Sequence, residues 1–381
     1  MAGSLDGGEP REILLSTSQA VYAAGQLLFV REGTLMAQPF DATKLELMSE
    51  AVPVAEDVMV IPGAAVAVLS ASEAGVLAYQ SGEAETSTTL DWHSREGQPV
   101  GVLGDPALYE HAVLSPNDKL AVVKIPDSGT GMSDLWIYDI ERDIKTRFTF
   151  DAADDTWPVW TPDGSRVFFS SNRDGKRYSL YGKDIGGAGE AELIYSGERD
   201  VFPNGISPDG RHVVLMSTGG ETAADLWLLP MEPEAEPVVL KQTEFTEGVG
   251  MVSPDGRWMS YNSDESGDFE VYVTTFPIPG RKWQVSTESG GYAFWRADGK
   301  EIIYTEMNGR LMAAEVWAEG DTFNVGKVEP LFTIQPPAAG GPWYHMDSDA
   351  QKFLVVPSTI QRADTLLNLI VNWPEVLEGR R

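Results

Sequence analysis

Four histidines, 58 acidic residues and no cysteine set the chemistry open to this 381-residue chain. Without cysteine there is no thiol nucleophile, thiolate metal site or disulfide. A serine nucleophile needs a positioned base, and only His93, His111, His212 and His345 could serve. No G-x-S-x-G, H-E-x-x-H, Walker loop or strand-to-helix G-x-G-x-x-G occurs. What remains is carboxylates, which can work as acid and base or hold a cation, together with aromatic and imidazole rings that can grip a ligand. These groups concentrate just ahead of a recurring turn: Glu110 and His111; Asp154, Asp155 and Trp157; Asp200 and Phe202; Glu247; Tyr292; and Trp343, Tyr344 and His345. They form the candidate ligand-binding set, with no catalytic residue and no metal ligand assigned. The plain alternative is that the rings pack between sheets and the acids are solvated. Asn262 to Asp268 has the oxygen density of a calcium loop without EF-hand spacing and reads as a hairpin loop, so no cofactor is assigned and calcium is the sole candidate.

The turn that follows each candidate is the organising element. In Thr161-Pro162-Asp163-Gly164 the proline presets φ at the first corner and the glycine takes the left-handed position. Strands with β-branched and aromatic residues flank it. Copies occur at 23–26, 72–75, 115–118, 161–164, 207–210, 253–256, 296–299 and 348–351, and Pro116, Pro162, Pro208 and Pro254 are each 46 residues apart. A fixed period of this length with four short strands per period predicts propeller blades, each burying its faces on its neighbours. The expected fold is therefore all-β: a single β-propeller of four-stranded blades over 11–373, eight in number, with seven as the alternative. Residues 1–10 read as a flexible lead and 374–381 as a tail. Arg11 to Ser16 is an orphan strand and the eighth repeat stops after three, so pairing of 11–16 with 366–373 is expected to close the ring. Asp134-Leu135-Trp136 and Asp225-Leu226-Trp227 recur as strand starts and receive no chemistry.

A formal charge of −30 repels phosphate backbones and anionic lipid surfaces, so nucleic acid is not an expected partner. No apolar run approaches the roughly 20 residues that span a bilayer, and residues 1–10 carry neither a basic nor an apolar signal region. Neither a membrane segment nor an export signal is expected.

The S-P-D-G-R turns followed by an apolar strand and D-L-W resemble the repeats of TolB and of the propeller domains of prolyl oligopeptidases and dipeptidyl peptidases. A sharper resemblance lies in Leu28 to Asp41 (L-F-V-R-E-G-T-L-M-A-Q-P-F-D), Thr146 to Asp151 (T-R-F-T-F-D), Phe276 to Thr287 (F-P-I-P-G-R-K-W-Q-V-S-T) and Leu369 to Trp373 (L-I-V-N-W). These are similar to the C-terminal propeller region of bacterial eukaryotic-like serine/threonine protein kinases. The resemblance implies a sensor or scaffold module outside the cytoplasm, periplasmic or cell-surface, that binds a peptide, glycan or protein. The chain has no Gly-rich nucleotide loop, V-A-I-K, H-R-D or D-F-G, so no kinase activity carries over. The alternative is a propeller enzyme, a glycan hydrolase or lyase or a calcium-dependent lactonase, working through channel carboxylates.

Overall fold

The computed structural model describes residues 13–14, 16, 18–31, 33–61, 66–82, 88–127, 130–175, 177–187, 189–220, 222–335, 342–356 and 367–378. The described residues are almost all strand and turn, with one short helix, Trp373–Glu378. Two compact units are present: Ser87–Thr359, and Met1–Thr86 together with Ile360–Arg381.

Among the described residues, Ser87–Thr359 contains six four-stranded antiparallel sheets. In the first, His111–Leu114, Leu120–Pro126, Ser133–Asp139 and Ile144–Arg147 lie side by side in chain order, and the same meander repeats over 155–195, 200–241, 247–284 and 291–333. The sixth sheet is composite: Tyr344–Met346 and Lys352–Val355 pair onward to Thr88–Ser94 and Pro99–Ala107, with Asp91 opposite Val355. The innermost strands touch in succession, and Tyr344–Met346 returns to His111–Leu114. The Tyr344 hydroxyl closes the remaining gap by donating to the Tyr292 carbonyl at 3.0 Å.

Burial explains the sequence pattern. The second strand of each meander is covered on both faces, so it is apolar without alternation: Val167, Phe168 and Phe169, or Val213, Val214 and Leu215, are all buried. Phe169 packs toward Val122 and Leu135 of the preceding sheet, whereas its neighbour Phe168 packs toward Val213 and Leu215 of the following one. The outermost strands, such as Ile144–Arg147, are largely exposed and carry the charge. Each turn is closed as its residues require. Gly164 donates its N–H to the Thr161 carbonyl at 2.8 Å with φ of 68°. Ser207 and Ser253 hydroxyls donate to Asp209 and Asp255 at 2.6 Å, locking the corner.

The pairing corrects the expected ring closure. Leu367–Val371 lies against Val76–Gln80, with Leu369 opposite Ala78. Ile13, Leu14 and Ser16 are in no strand, while Arg11, Glu12 and Leu15 lie outside the described residues. The turns at 23–26 and 72–75 are real hairpins, but they belong to the other unit, in sheets of different order from those that follow the other six turns. A turn motif reports a hairpin and not the sheet that receives it. The last turn also sits one residue earlier than expected, with Ala350 N–H donating to Asp347 O.

The second unit has a five-stranded sheet, Val21–Ala23, Gln26–Arg31, Thr34–Asp41 and Glu46–Leu47 in order with Val52–Ala55 also on the third strand. A three-stranded sheet runs Leu367–Val371, Val76–Gln80, Leu69–Ala71. Leu28, Leu35, Leu77, Trp373 and Leu377 form its core, so the expected tail contributes a buried turn of helix. The expected lead, 1–10, lies outside the described residues.

Candidate functional site

Because each inner strand runs into the same turn, its residues can be aligned by counting back from the turn. Three residues before the strand's end stand His111, Trp157, Pro203, Val249, Tyr292 and Trp343. One before the end stand Val113, Val159, Gly205, Met251, Phe294 and His345, and in the turn itself Pro116, Pro162, Pro208, Pro254, Ala297 and Ser348. All of these except Trp343 line one central cavity of about 440 Å³. Residues two apart on a strand share a face, which is why alternate positions reach the same space.

The upper tier is built on bulges. Register slips between Thr156 and Val159, Gly248 and Met251, and Gly291 and Phe294. Trp157, Val249 and Tyr292 take φ of 50°, 51° and 46° there. Left-handed backbone at bulky side chains costs about 1–3 kcal/mol each, and bulges re-aim side chains. Its recurrence at one position of three sheets makes the cavity mouth a shared device.

The structure separates the candidate set into two groups. His111, Trp157, Tyr292 and His345 line the cavity. His111 is buried and meets Trp157 edge-on at 5.5 Å, and Trp157 lies 6.1 Å from Phe202. Tyr292 packs on Trp343 at 5.9 Å, and Tyr344 is buried with its hydroxyl donating to the carbonyls of Tyr292 and Ile303. Burial holds the Tyr344 phenol well above its usual pKa. The imidazole of His345 stacks edge-on to Phe294 at 4.9 Å, and burial pushes its pKa down to about 4.

The carboxylates form the second group, and none of Glu110, Asp154, Asp155, Asp200 or Glu247 lines the cavity. Glu110 pairs with Lys124 at 2.8 Å. Asp154 accepts from the Tyr178 hydroxyl at 2.6 Å and the Ser133 N–H at 3.0 Å, and lies 3.7 Å from Lys124. Asp155, fully buried, accepts from Arg173 at 3.1 Å; burial still raises its pKa, against the opposing pull of Ser171, Thr149 and Arg173. Asp200 accepts from the Tyr178 N–H at 2.8 Å. Glu247, fully buried, accepts from the Thr243 hydroxyl and lies 3.8 Å from Lys241. Their work is to tie mouth loops to strand ends. Asp134 and Asp225, of the D-L-W motifs, pair with Arg147 and Arg199 in the same way. The Asn262 to Asp268 loop is a hairpin closed by Gly267 N–H on Asp264 O, with Glu265 bound to Lys282 at 2.5 Å.

Among the described residues, the two carboxylates that do line the cavity are Asp118 and Asp347, at its turn end. Both oxygens of Asp118 lie 3.2 Å from the Ser348 N–H, and Asp347 accepts from the N–H groups of Gln351 and Lys352 at 2.8 and 2.9 Å. Among the described residues, no lysine or arginine lines the cavity.

Sequence reasoning missed Asn204. It lines the cavity, is 4% exposed, and stands two residues before the strand's end, where the other inner strands carry Ala112, Pro158, Gly250, Ala293 and Tyr344. A lone carboxamide among small or ring side chains at an aligned position is the signal that could have found it. The indoles of Trp160 and Trp295 were also missed; each donates to the lower-tier carbonyl of the preceding sheet, Val113 at 3.0 Å and Met251 at 3.2 Å, and so stiffens the wall.

No family model matches the chain. Among curated proteins it is similar to an uncharacterised protein of Agrobacterium fabrum, 26% identical over 151 residues, which is 38% of this chain and 48% of the relative. The chain thus spans about half the length of that relative. Among solved structures it is similar to a putative TolB from Agrobacterium tumefaciens, with a TM-score of 0.56 and 16% identity over 70% of this chain and 96% of the other. Others are TolB from Acinetobacter baumannii, with a TM-score of 0.46 and 14% identity over 87% and 78%, and a putative 6-phosphogluconolactonase from Bacteroides uniformis, with 0.48 and 14% over 77% and 92%. The fold is that of the TolB-like β-propellers.

Proposed function

We propose that Ser87–Thr359 is a non-catalytic, six-bladed binding module whose ligand occupies the central cavity. The observation that carries this reading is the division just described: apolar and aromatic side chains from all six inner strands face one space, while the mouth acids are committed to neighbouring cations, hydroxyls and N–H groups. A site of this size and lining, with few convergent polar groups, fits a small ligand or the tip of a peptide, glycan or protein. The enzyme alternative would rest on Asp118 and Asp347, and both are turn acceptors.

The likeness of the four sequence segments to kinase sensor regions supports a place in a bacterial signalling protein outside the cytoplasm. An upstream kinase domain and membrane helix in the gene's full reading frame would uphold that placement, and their absence would remove it.

The binding reading is tested by a thermal-shift screen of small neutral, cationic and anionic compounds, short peptides, oligosaccharides and calcium. A ligand at 100 times its Kd adds about 2.7 kcal/mol. Stabilisation without turnover, lost in Trp157→Ala, is the expected outcome. Turnover of a glycan or lactone that depends on Asp118 and Asp347 would overturn it.

A further inference from the structure

We infer that the central cavity takes a small protonated amine with an apolar body, its ammonium set between Asp118 and Asp347 at the turn end. This rests on the binding reading above and adds the charge class.

The first observation is a difference between two sets of carboxylates. Glu110, Asp154, Asp155 and Glu247 each have a lysine or arginine nitrogen 2.8 to 3.8 Å away. Asp118 and Asp347, on the cavity wall, have none among the described residues and are held by backbone N–H groups instead. One N–H, that of Ser348, is shared by both oxygens of Asp118 at 3.2 Å. The N–H groups of Gln351 and Lys352 both go to Oδ1 of Asp347. A carboxylate has about four acceptor sites, so each keeps capacity for a further donor. Burial, aided by the charge of Asp349, raises the pKa of Asp347 against the pull of its two N–H bonds, as befits a carboxyl without a counter-charge.

The second observation is that the two groups share one corner. Asp118 ends the turn of the first sheet and Asp347 opens that of the sixth, and the inner strands of those sheets touch. Because Asp118 holds the N–H of Ser348, its carboxylate lies against the residue that follows Asp347. An ammonium has three donors and no acceptor, so one head can serve both acids.

The third observation is the rest of the wall. Among the described residues it has no lysine or arginine to pair with an anion, and the formal charge of −30 on the chain favours cations further. His345 supplies no counter-charge at neutral pH, because burial lowers its pKa to about 4 although Asp118 pulls the other way. His111, Ser115, Tyr292 and Ser348 also line the cavity and can meet other polar atoms of a ligand. Trp157, Met251 and Phe294 receive the apolar body, and aromatic faces attract a cation as well.

The test uses three probes of similar skeleton and different charge, tryptamine, tryptophol and indole-3-acetate, titrated by calorimetry and by saturation-transfer NMR at pH 7. Tryptamine should bind at one site per chain, at least tenfold more tightly than tryptophol, with the acetate weakest. Asp118→Asn and Asp347→Asn each keep an oxygen for the N–H groups, and asparagine tolerates the φ of 59° at residue 118. Each should weaken tryptamine at least fivefold and leave tryptophol unchanged. Thermal midpoints show whether the variants fold, and the order of the probes on the unaltered protein needs no variant. Tryptophol or the acetate binding as tightly as tryptamine overturns the inference. So does a tryptamine affinity unchanged in both folded variants, which would place the amine on the acidic surface, or a loss shared equally by tryptophol. Failure of all three probes to bind at 10 mM overturns it too. The broader reading falls separately, if no compound class in the wider screen binds in a Trp157-dependent way.

Discussion

The mouth and the wall of the cavity are built by the same six segments, a few residues apart, and they solve opposite problems. At the mouth, Asp155 and Glu247 are fully buried yet supplied with partners, Asp155 by Arg173 at the end of the neighbouring strand and Glu247 by Thr243 in the loop that leads into its strand. On the wall, aliphatic side chains, prolines and aromatic rings predominate, Trp157, Val159, Met251 and Phe294 among them. Charge density in a sequence therefore marks where a propeller is tied together, and the apolar and aromatic positions of its inner strands mark where it encloses a cavity.

The largest test of this contrast is Arg173→Met. It would strand the buried Asp155, and removing one partner of a buried ion pair costs about 3–5 kcal/mol. The loss, read by urea denaturation, should grow as pH rises through the raised pKa of Asp155, because the ionised form is the one that burial penalises. A loss below 1 kcal/mol would break the claim that mouth acids are structural.

On the wall, the effect runs the other way with pH. The unfolded His345 takes a proton near its ordinary value, about 6.5, which the folded form refuses until about 4. Its contribution to stability is present above 6.5 and lost as pH falls from 6.5 to 4. Because the ring borders an open cavity, the loss is on the order of 1–3 kcal/mol. His345→Gln should remove this slope, measured as the difference in denaturation midpoint between pH 7 and pH 4.5; an unchanged slope would place the ring in water.

Glu110→Gln sharpens the contrast within the mouth itself. Its pair with Lys124 is partly exposed, so the cost should be about 0.2–1 kcal/mol, several times less than at Asp155. The smallest effect is expected at Leu369→Ser, on the exposed face of the C-terminal strand, within about 0.5 kcal/mol. A cost of several kcal/mol there would mean that this strand is clasped on a second side, as the sequence pattern led one to expect.

Much of the repeat architecture was legible because its signals are local. The Ser-Pro-Asp-Gly corners, the doubly covered apolar strands and the 46-residue period all report structure within a single sheet. Ring closure was not legible, since Thr88–Ser94 joins Lys352–Val355 through backbone hydrogen bonds that any two strands can make. At the site, His111, Trp157, Tyr292 and His345 were found because the position before the turn is itself a local signal. The acids were misplaced relative to the cavity because Asp155 and Glu247 differ from solvated carboxylates only in having Arg173 and Thr243 beside them, far along the chain or hidden in a loop.

The composite sheet has a mechanical consequence. Thr88–Ser94 and Lys352–Val355 run antiparallel with Asp91 beside Val355, so the strand that begins the ring starts next to the strand that ends it. Tension applied through the flanking chain at residues 87 and 357 would load these bonds one after another, as in peeling tape, and not all at once as in sliding a bolt. The ring should resist heat through its many buried layers yet open under a modest pull at this seam, a property to look for in single-molecule extension.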